Sequence, residues 1–191
     1  MIVVAGLGNP GPRYAGTRHN LGFWLVDRLA ERAGGASFQP RFHGSFARVS
    51  LAGAAVGLLK PETFMNDSGR SVRAAFDFLK LDLPDLLVAH DELDLPLGQI
   101  KLKVGGGDGG HRGLRSISEA LGEGYGRLRL GIGRPPPDFA GNPTDFVLEA
   151  PSPAERTELD ALLDRAEDAA MLVIARGMPA AMNAANQRRP R

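Results

Sequence analysis

The sequence predicts an α/β fold, a single domain built on a mixed, twisted sheet with helices on both faces. Short apolar runs typical of buried strands alternate along the chain with segments whose apolar residues recur at helical spacing. At 191 residues, 43% of them hydrophobic, the chain is long enough for one sizeable core and short for two.

Strands are predicted from apolar runs and from alternation. Residues 2–5 and 86–89 are short apolar runs, ended by glycines and by acidic residues respectively, which is typical of buried strands. Alternating apolar and polar residues predict further strands, some of them antiparallel, within 46–59, 99–104 and 127–132.

Helices are predicted between and after these strands. The first begins near Asn20 and ends at the glycine pair 34–35, and the second follows Asp67 or Ser68 as its cap. A long helix is predicted over 153–176, and a shorter one near 180–186 leads into a basic tail. Because no repeat or linker interrupts the pattern, we expect one domain over residues 1–191, with a basic C-terminal tail.

Composition excludes several kinds of function. The absence of cysteine excludes disulfides, cysteine-based zinc sites and thiol nucleophiles. The N-terminus lacks a charged signal region and the longest later apolar run, 169–175, is far too short for a membrane span, so we expect a soluble cytoplasmic protein without a membrane partner.

The net charge of +1 is unevenly distributed. Basic residues outnumber acidic ones seven to three between Lys101 and Arg134, a block as typical of nucleic-acid binding as of a solvated face. Between Glu149 and Asp168 acidic residues outnumber basic ones seven to two, and we interpret that block as a solvated face.

Two glycine-rich segments resemble nucleotide-binding loops. Residues 6–11 match G-x-G-x-x-G after a predicted strand, but Pro10 and Pro12 bracket Gly11 and the helical pattern begins only at Asn20, which disfavours a Rossmann unit. Residues 105–110 lack the Lys and Ser or Thr of a P-loop. They are either a flexible turn or a loop whose N–H groups can approach an anion.

The chain has no G-x-S-x-G, which argues against a serine nucleophile, and no H-E-x-x-H zinc motif. The carboxylates of residues 91–94 leave magnesium, held through water, as an alternative to a metal-free site. Water is then the expected nucleophile, and a His–Asp pair can activate it. His19 follows the first strand and Asp91 directly follows the strand ending at His90, so the two side chains are expected to lie close together. A lone histidine on a loop can also be a plain hydrogen-bonding residue.

Several motifs in order along essentially the whole chain resemble the bacterial peptidyl-tRNA hydrolase family. They are Gly-Leu-Gly-Asn9-Pro-Gly, Tyr14, Thr17-Arg18-His19-Asn20, Lys60-Pro61-x-Thr63-Phe64-Met65-Asn66-x-Ser68-Gly69, His90-Asp91-Glu92-Leu93-Asp94-Leu95-Pro96 and Arg129-Leu-Gly-Ile-Gly133. The resemblance implies a monomeric α/β enzyme that needs no cofactor and no metal. It also implies hydrolysis of the ester between a peptide and the 3′-terminal ribose of tRNA, with the acceptor stem and 3′ end as the partner.

The resemblance also assigns roles to particular residues. His19 is similar in position to the general base, Asp91 to the carboxylate that orients it, and Asn9 and Asn66 to amides that contact the substrate or the activated water. We expect the Asn66 amide to stabilise the oxyanion. Tyr14, Phe64 and Met65 are expected to line the cleft. Lys103 and Arg129 are expected to hold the 5′ phosphate of the tRNA. Asn9 and Asn66 are also residue types that shape a turn and cap a helix.

The chain departs from the family pattern at one place. Arg112 follows His111 where the family commonly has Asn, and Asp108 replaces a frequent His. Arginine cannot accept a hydrogen bond, so a contact that needs an acceptor is lost. We expect Arg112 to contact tRNA, with an outward, solvated position as the alternative.

Two other functions stay open at this point. A non-catalytic RNA-binding protein of the same fold would have no evident need for a His–Asp pair flanked by two amides, which favours the enzyme. The hypothesis of a nicotinamide-dependent oxidoreductase is supported by the glycine fingerprint alone.

Overall fold

The computed structural model describes residues 1–186, so the predicted basic tail at 187–191 lies outside the described residues. Its centre is a seven-stranded mixed sheet with the order β2-β3-β4-β1-β5-β7-β6. Strands β4, β1, β5 and β7 run parallel, whereas β2, β3 and β6 pair antiparallel with their neighbours. The strands are β1 (Ile2–Gly6), β2 (Gln39–Arg41), β3 (Gly44–Leu51), β4 (Ala54–Pro61), β5 (Leu86–Glu92), β6 (Ile100–Val104) and β7 (Gly126–Gly131).

Helices cover both faces of the sheet, which confirms the predicted fold class. The helices are α1 (Leu21–Arg32), α2 (Ser68–Leu79), α3 (Arg112–Leu121), α4 (Pro143–Val147) and α5 (Pro153–Ala185). Helices α1 and α5 pack on one face, and α2 and α3 on the other. Helix α5 is interrupted at Gly177, whose φ of 78° is left-handed, so it consists of the long and the short helix that the sequence predicts.

Three features differ from the sequence prediction. Strand β2 was not predicted, because its three residues are all exposed and carry no apolar pattern. Helix α4 was not predicted; Asn142 caps it by accepting hydrogen bonds from the N–H groups of Thr144 and Asp145. Strand β5 extends through Glu92, so Asp91 lies within the strand rather than after it.

Gly6, the first glycine of the segment that resembles a dinucleotide fingerprint, has a packing role. A Cβ on Gly6 would overlap the carbonyl of Gly22 in α1, and one on Gly22 would overlap the backbone of Leu7 and the carbonyl of Ala89. Helix α1 therefore lies directly on β1 and β5, and buries Leu25 and Leu29 completely. Each such leucine stabilises the fold by about 1.5–3 kcal/mol.

The strand order fixes what meets at one edge of the sheet. The carboxyl ends of β4, β1, β5 and β7 lie side by side there, and the turn between β2 and β3 lies at the same edge because Gly44 pairs with Pro61. Loops that follow neighbouring strands can therefore share one site. In the part of the chain that the structure describes, no helix is long and apolar enough to cross a membrane.

Candidate active site

The structure brings His19 and Asp91 together at this edge. His19 lies in a short 3-10 turn, Arg18–Asn20, after β1, and Asp91 lies near the end of the adjacent strand β5. The Nδ1 atom of His19 is 2.9 Å from both carboxylate oxygens of Asp91. The Asp91 carboxylate is almost fully buried, while His19 keeps 12% of its side chain exposed. Because Nδ1 is held by the carboxylate, Nε2 is the nitrogen of His19 left for chemistry.

A second histidine, which the sequence reasoning did not connect to this site, also binds Asp91. His111 is the N-cap of α3, and its Nδ1 accepts the N–H of Leu114. That contact assigns the proton to Nε2, which donates to Asp91 Oδ1 over 2.9 Å. A histidine between a glycine-rich loop and a helix was visible in the sequence, but its contact with β5 depends on how α3 packs on the sheet.

The charges of this network set the pKa values. Burial lowers the pKa of His19, but the charge and hydrogen bond of Asp91 offset this, and the net pKa is raised above its ordinary value. Arg112 opposes that rise. Burial would raise the pKa of Asp91, yet the two histidines hold it far below its usual range, so this carboxylate stays ionised.

His90 lies behind the network and stays neutral. Burial and the neighbouring His111 lower its pKa to about 3. Its Nδ1 donates to the backbone carbonyl of Asp91 over 2.8 Å, and its ring packs edge-on against the ring of His111 at 5.1 Å. His90 therefore supports the backbone and the ring on which Asp91 depends.

Asn9 is held in one orientation by its neighbours. Asn20 bonds both the N–H and the carbonyl of Asn9 over 2.9 Å, which fixes the loop after β1. The side-chain Oδ1 of Asn9 accepts the N–H of Met65 over 2.8 Å. Since the oxygen is committed to this bond, the Nδ2 group is the part of Asn9 that can donate to a substrate.

The segment after β4 places three of the predicted residues. Met65 is buried, and its sulfur lies so close to Gly113 at the start of α3 that a Cβ there would come within 2.6 Å. Asn66 is exposed in the 3-10 turn Met65–Asp67, and its side chain makes no hydrogen bond within residues 1–186, so it does not cap α2. Phe64 is 62% exposed.

Tyr14 lies half-buried in the loop that leads to His19. The N–H and hydroxyl of Thr17 both donate to its backbone carbonyl, and the Arg13 guanidinium lies 5.5 Å from the centre of its ring. The structure thus places Tyr14 in the same loop as His19 and shows no hydrogen bond between the two within residues 1–186.

His19 and Asp91 line a cavity of about 220 Å³. His111 and Arg112 line it from α3, and Val147 lines it from α4. Asn9, Asn66, Phe64 and Tyr14 are outside this cavity; of these, Asn66 and Phe64 are exposed, whereas Asn9 is buried.

Arg18, the residue before His19, connects the loop after β1 to the wall of this cavity. Its side chain is 6% exposed and forms two hydrogen bonds with Glu155, of 2.9 and 3.0 Å. It also donates to the carbonyl of Phe146 over 3.0 Å and lies 4.0 Å from the centre of that ring. Helix α4 is thereby fixed beside His19, a role that no sequence pattern indicated.

The basic residues of β6 and β7 share one face of the sheet. Lys101 pairs with Arg129 and Lys103 with Arg127, and directly opposed residues of antiparallel strands point to the same side. This face carries Lys103, which makes no ion pair within residues 1–186, and Arg129, whose Nε is 2.9 Å from Glu92.

Arg127 has a different environment from the other three. It is 2% exposed, donates to the carbonyls of Gly106 and Gly107, and lies 4.9 Å from the centre of the Tyr125 ring. It therefore holds the glycine-rich loop and is not free to bind a phosphate.

Comparison with known proteins decides the family. The family described as peptidyl-tRNA hydrolase matches residues 3–191. The chain belongs to the peptidyl-tRNA hydrolase family. It is 50% identical to the peptidyl-tRNA hydrolase of Sorangium cellulosum over 98% of this chain and 85% of that one. It is 52% identical to that of Frankia casuarinae, over 95% and 91% of the two chains. The crystal structure of the Acinetobacter baumannii peptidyl-tRNA hydrolase superposes with a TM-score of 0.91 at 40% identity, covering 100% of this chain and 97% of that one.

The departure from the family pattern lies at the cavity. Asp108 pairs with Arg115, with Nε and Oδ2 3.1 Å apart, and accepts the N–H of Gly110. Arg112 is exposed at the first position of α3 and forms no ion pair within residues 1–186. Its positive charge is thus available to a bound anion beside His19.

The same residues also raise the question of a metal. Ligand atoms of His19, Asp91 and His111 lie within 4.8 Å of one another, an arrangement that can hold a cation. However, Asp91 already accepts hydrogen bonds from both histidines, and these bonds account for the spacing without an ion.

Proposed function

We propose that this chain hydrolyses the ester bond between a peptide, or an N-blocked aminoacyl group, and the 3′-terminal ribose of tRNA, and so recycles tRNA. Membership of the family supports the substrate. The observation that carries the mechanism is the hydrogen bond from His19 Nδ1 to the buried, ionised carboxylate of Asp91. That bond leaves His19 Nε2 to remove a proton from water.

The proposed reaction passes through a tetrahedral intermediate. His19 takes a proton from water while the oxygen attacks the ester carbonyl, and Asp91 stabilises the imidazolium that forms. The Asn66 amide, exposed beside Met65, is the proposed donor to the oxyanion, and the free Nδ2 of Asn9 is placed to contact the substrate. The intermediate then collapses, the ribose oxygen leaves with the proton from His19, and the peptide is released as a carboxylic acid that loses its proton to solvent.

Substrate binding is proposed to use the remaining predicted residues. Lys103 and Arg129 on the β6–β7 face would bind the 5′ phosphate of the acceptor stem. Arg129 uses its Nε for Glu92, so its terminal NH₂ groups can still donate to a phosphate. Tyr14, Phe64 and Met65 would line the cleft outside the His19 cavity. We further propose that the enzyme is a cytoplasmic monomer and works without a cofactor or metal.

The test compares two substrates in the presence of a chelator. Purified protein is incubated with N-acetyl-aminoacyl-tRNA and with free aminoacyl-tRNA, and release of the acyl group is measured. We expect cleavage of the blocked ester only, and cleavage slower by about 10²- to 10⁴-fold with a folded His19→Ala variant. Binding of both tRNAs without cleavage would instead identify a non-catalytic RNA-binding protein, and loss of cleavage in chelator would overturn the metal-free mechanism.

A further inference from the structure

A second and larger groove, of about 630 Å³, opens at the same edge of the sheet. It lies between the β2–β3 turn and the segment that joins β4 to α2. None of its lining residues belongs to the His19 cavity. The residues that matter for its chemistry are Arg41, His43, Glu62, Thr63, Phe64 and Arg70.

The strand order places this groove on one particular side of the His–Asp pair. In the order of the strands, the β2–β3 turn comes first, then β4, then β1 and β5 with His19 and Asp91, and finally β7 and β6, whose shared face carries Lys103 and Arg129. A substrate that follows this order, with its tRNA end on the β6–β7 face and its ester at His19, has its peptide end towards β4. The groove begins there, at Phe64, two residues before Asn66.

The lining of the groove suits a peptide of variable sequence. It combines an exposed phenylalanine ring with two arginines and with Glu62, so both apolar and charged side chains find contacts. Thr63 contributes a further polar side chain to the lining, although its hydroxyl oxygen is itself buried. Its volume is also within the range of clefts that hold small ligands.

The turn that borders the groove is strained. Phe42 and His43 both have left-handed backbones, with φ of 57° and 53°. Two-residue hairpin turns normally have glycine or asparagine at such positions. The turn is held by the edge-on contact of Phe42 with Phe46 at 5.1 Å and by the Arg41 guanidinium, 4.7 Å from the centre of the Phe42 ring. Retained backbone strain of this kind is typical of ligand-binding positions.

We infer that this groove binds the peptide part of the substrate, upstream of the residue that is esterified to tRNA. The inference rests on the proposed function. It adds a peptide subsite on the side of the active site opposite to the tRNA face. A residue of an extended peptide spans about 3.3 Å, so the esterified residue alone stays near Asn66 and only longer peptides enter the groove.

The test measures how kcat/KM depends on peptide length. N-acetyl-aminoacyl-tRNA is compared with a tRNA that carries an N-acetylated tetrapeptide with the same C-terminal residue, and the ratio of the two kcat/KM values is the length gain. We expect wild-type protein to prefer the tetrapeptide. The Arg41→Ala/Arg70→Ala variant should lower the length gain by about two- to tenfold and leave the one-residue substrate unchanged, because exposed charged contacts are individually weak.

Matched controls are available on neighbouring elements. Arg48 on β3 and Arg73 on α2 are exposed and lie outside the groove, so Arg48→Ala and Arg73→Ala should keep the wild-type length gain. A wild-type protein with no length gain, or a double variant that keeps it, would overturn the subsite.

A second measurement needs no variant. An N-acetylated tetrapeptide with a free C-terminal carboxylate is titrated into wild-type protein, and backbone amide signals are followed by NMR. Amides in 41–44 and 62–64 should shift, whereas an N-acetylated single amino acid should affect only the surroundings of Asn9, His19 and Asn66. Shifts by the tetrapeptide that miss the groove refute the inference. Failure to cleave any peptidyl-tRNA would refute the proposed function instead, because this binding map does not depend on catalysis.

Discussion

Replacing Asp91 by Asn should cause a large loss of activity for a reason that lies in His111. Leu114 donates to His111 Nδ1, so His111 Nε2 carries the proton and needs an acceptor at position 91. The oxygen of the new amide would therefore turn to His111, and its NH₂ group would face His19 Nδ1. A donor at that place forces the proton of neutral His19 onto Nε2, and the ring can no longer act as a base.

The magnitude follows from the bonds that are lost. A hydrogen bond between charged groups contributes about 1.5–3 kcal/mol, and each 1.36 kcal/mol is tenfold in rate, so the lost carboxylate alone predicts a fall of about 10- to 150-fold. The wrong tautomer of His19 increases the expected loss of activity to about 10⁴-fold, the loss known for the comparable change in the Ser-His-Asp triad of serine proteases.

The pH dependence should change as well. Asp91 raises the pKa of His19 and burial lowers it, so removing the carboxylate lowers this pKa. The general base works unprotonated, so activity rises with pH through the pKa. The acid limb of kcat/KM should therefore move to lower pH in Asp91→Asn.

The assay measures kcat/KM on N-acetyl-aminoacyl-tRNA from pH 5 to 9, with thermal unfolding as the control for folding. Combining Asp91→Asn with His111→Ala frees the amide to present its oxygen to His19, so the double variant should be more active than Asp91→Asn alone. If Asp91→Asn stays close to wild type with an unmoved acid limb, or if the double variant gains nothing, the proposed network is wrong.

The remaining predictions concern the base, the tRNA face and the departure from the family pattern. His19→Ala should reduce cleavage by about 10²- to 10⁴-fold and leave the affinity for uncleaved tRNA unchanged; a folded variant with normal turnover would exclude His19 as the base. Lys103→Ala and Arg129→Ala should each weaken tRNA binding and reduce the slope of log K against log salt by about one, while short esters without the tRNA body react normally. Equal losses on both substrates would contradict the phosphate contact. Arg112→Asn removes a charge that lowers the pKa of His19, so the acid limb should move to higher pH, and an unmoved limb would show that this charge does not reach His19.

The meeting of His19 and Asp91 could be predicted because it depends on a general property of parallel sheets. Asp91 lies near the end of β5 and His19 lies in the segment that follows the neighbouring strand β1, so both reach the same edge of the sheet. The error about Asp91 was only in its place within β5, since a polar residue at the end of a strand looks like the start of a loop.

The contacts of His111 and Arg18 could not be predicted in the same way. His111 reaches Asp91 because α3 packs on the sheet, and Arg18 reaches Glu155 across 137 positions of the chain. Neither contact has a local signature, since both depend on how helices dock after the strands have formed. For Arg127, the sequence suggested a role that the structure does not support. The sequence counts it as one more positive charge of a basic block, but the glycine-rich loop accepts its donors and buries it.

Whether Arg112 contacts tRNA or points outward can be tested through the pKa of His19. It lines the same cavity as His19 and lowers the pKa that Asp91 raises. If Arg112 binds a tRNA phosphate, that phosphate offsets its charge, and the pKa of His19 must rise when tRNA binds. The acid limb of kcat/KM reports the free enzyme and that of kcat reports the complex. Contact with tRNA therefore predicts a kcat limb at higher pH than the kcat/KM limb in the wild type, and a smaller separation in Arg112→Asn. An outward-pointing Arg112 predicts the same separation in both proteins, because no phosphate then changes the field at His19.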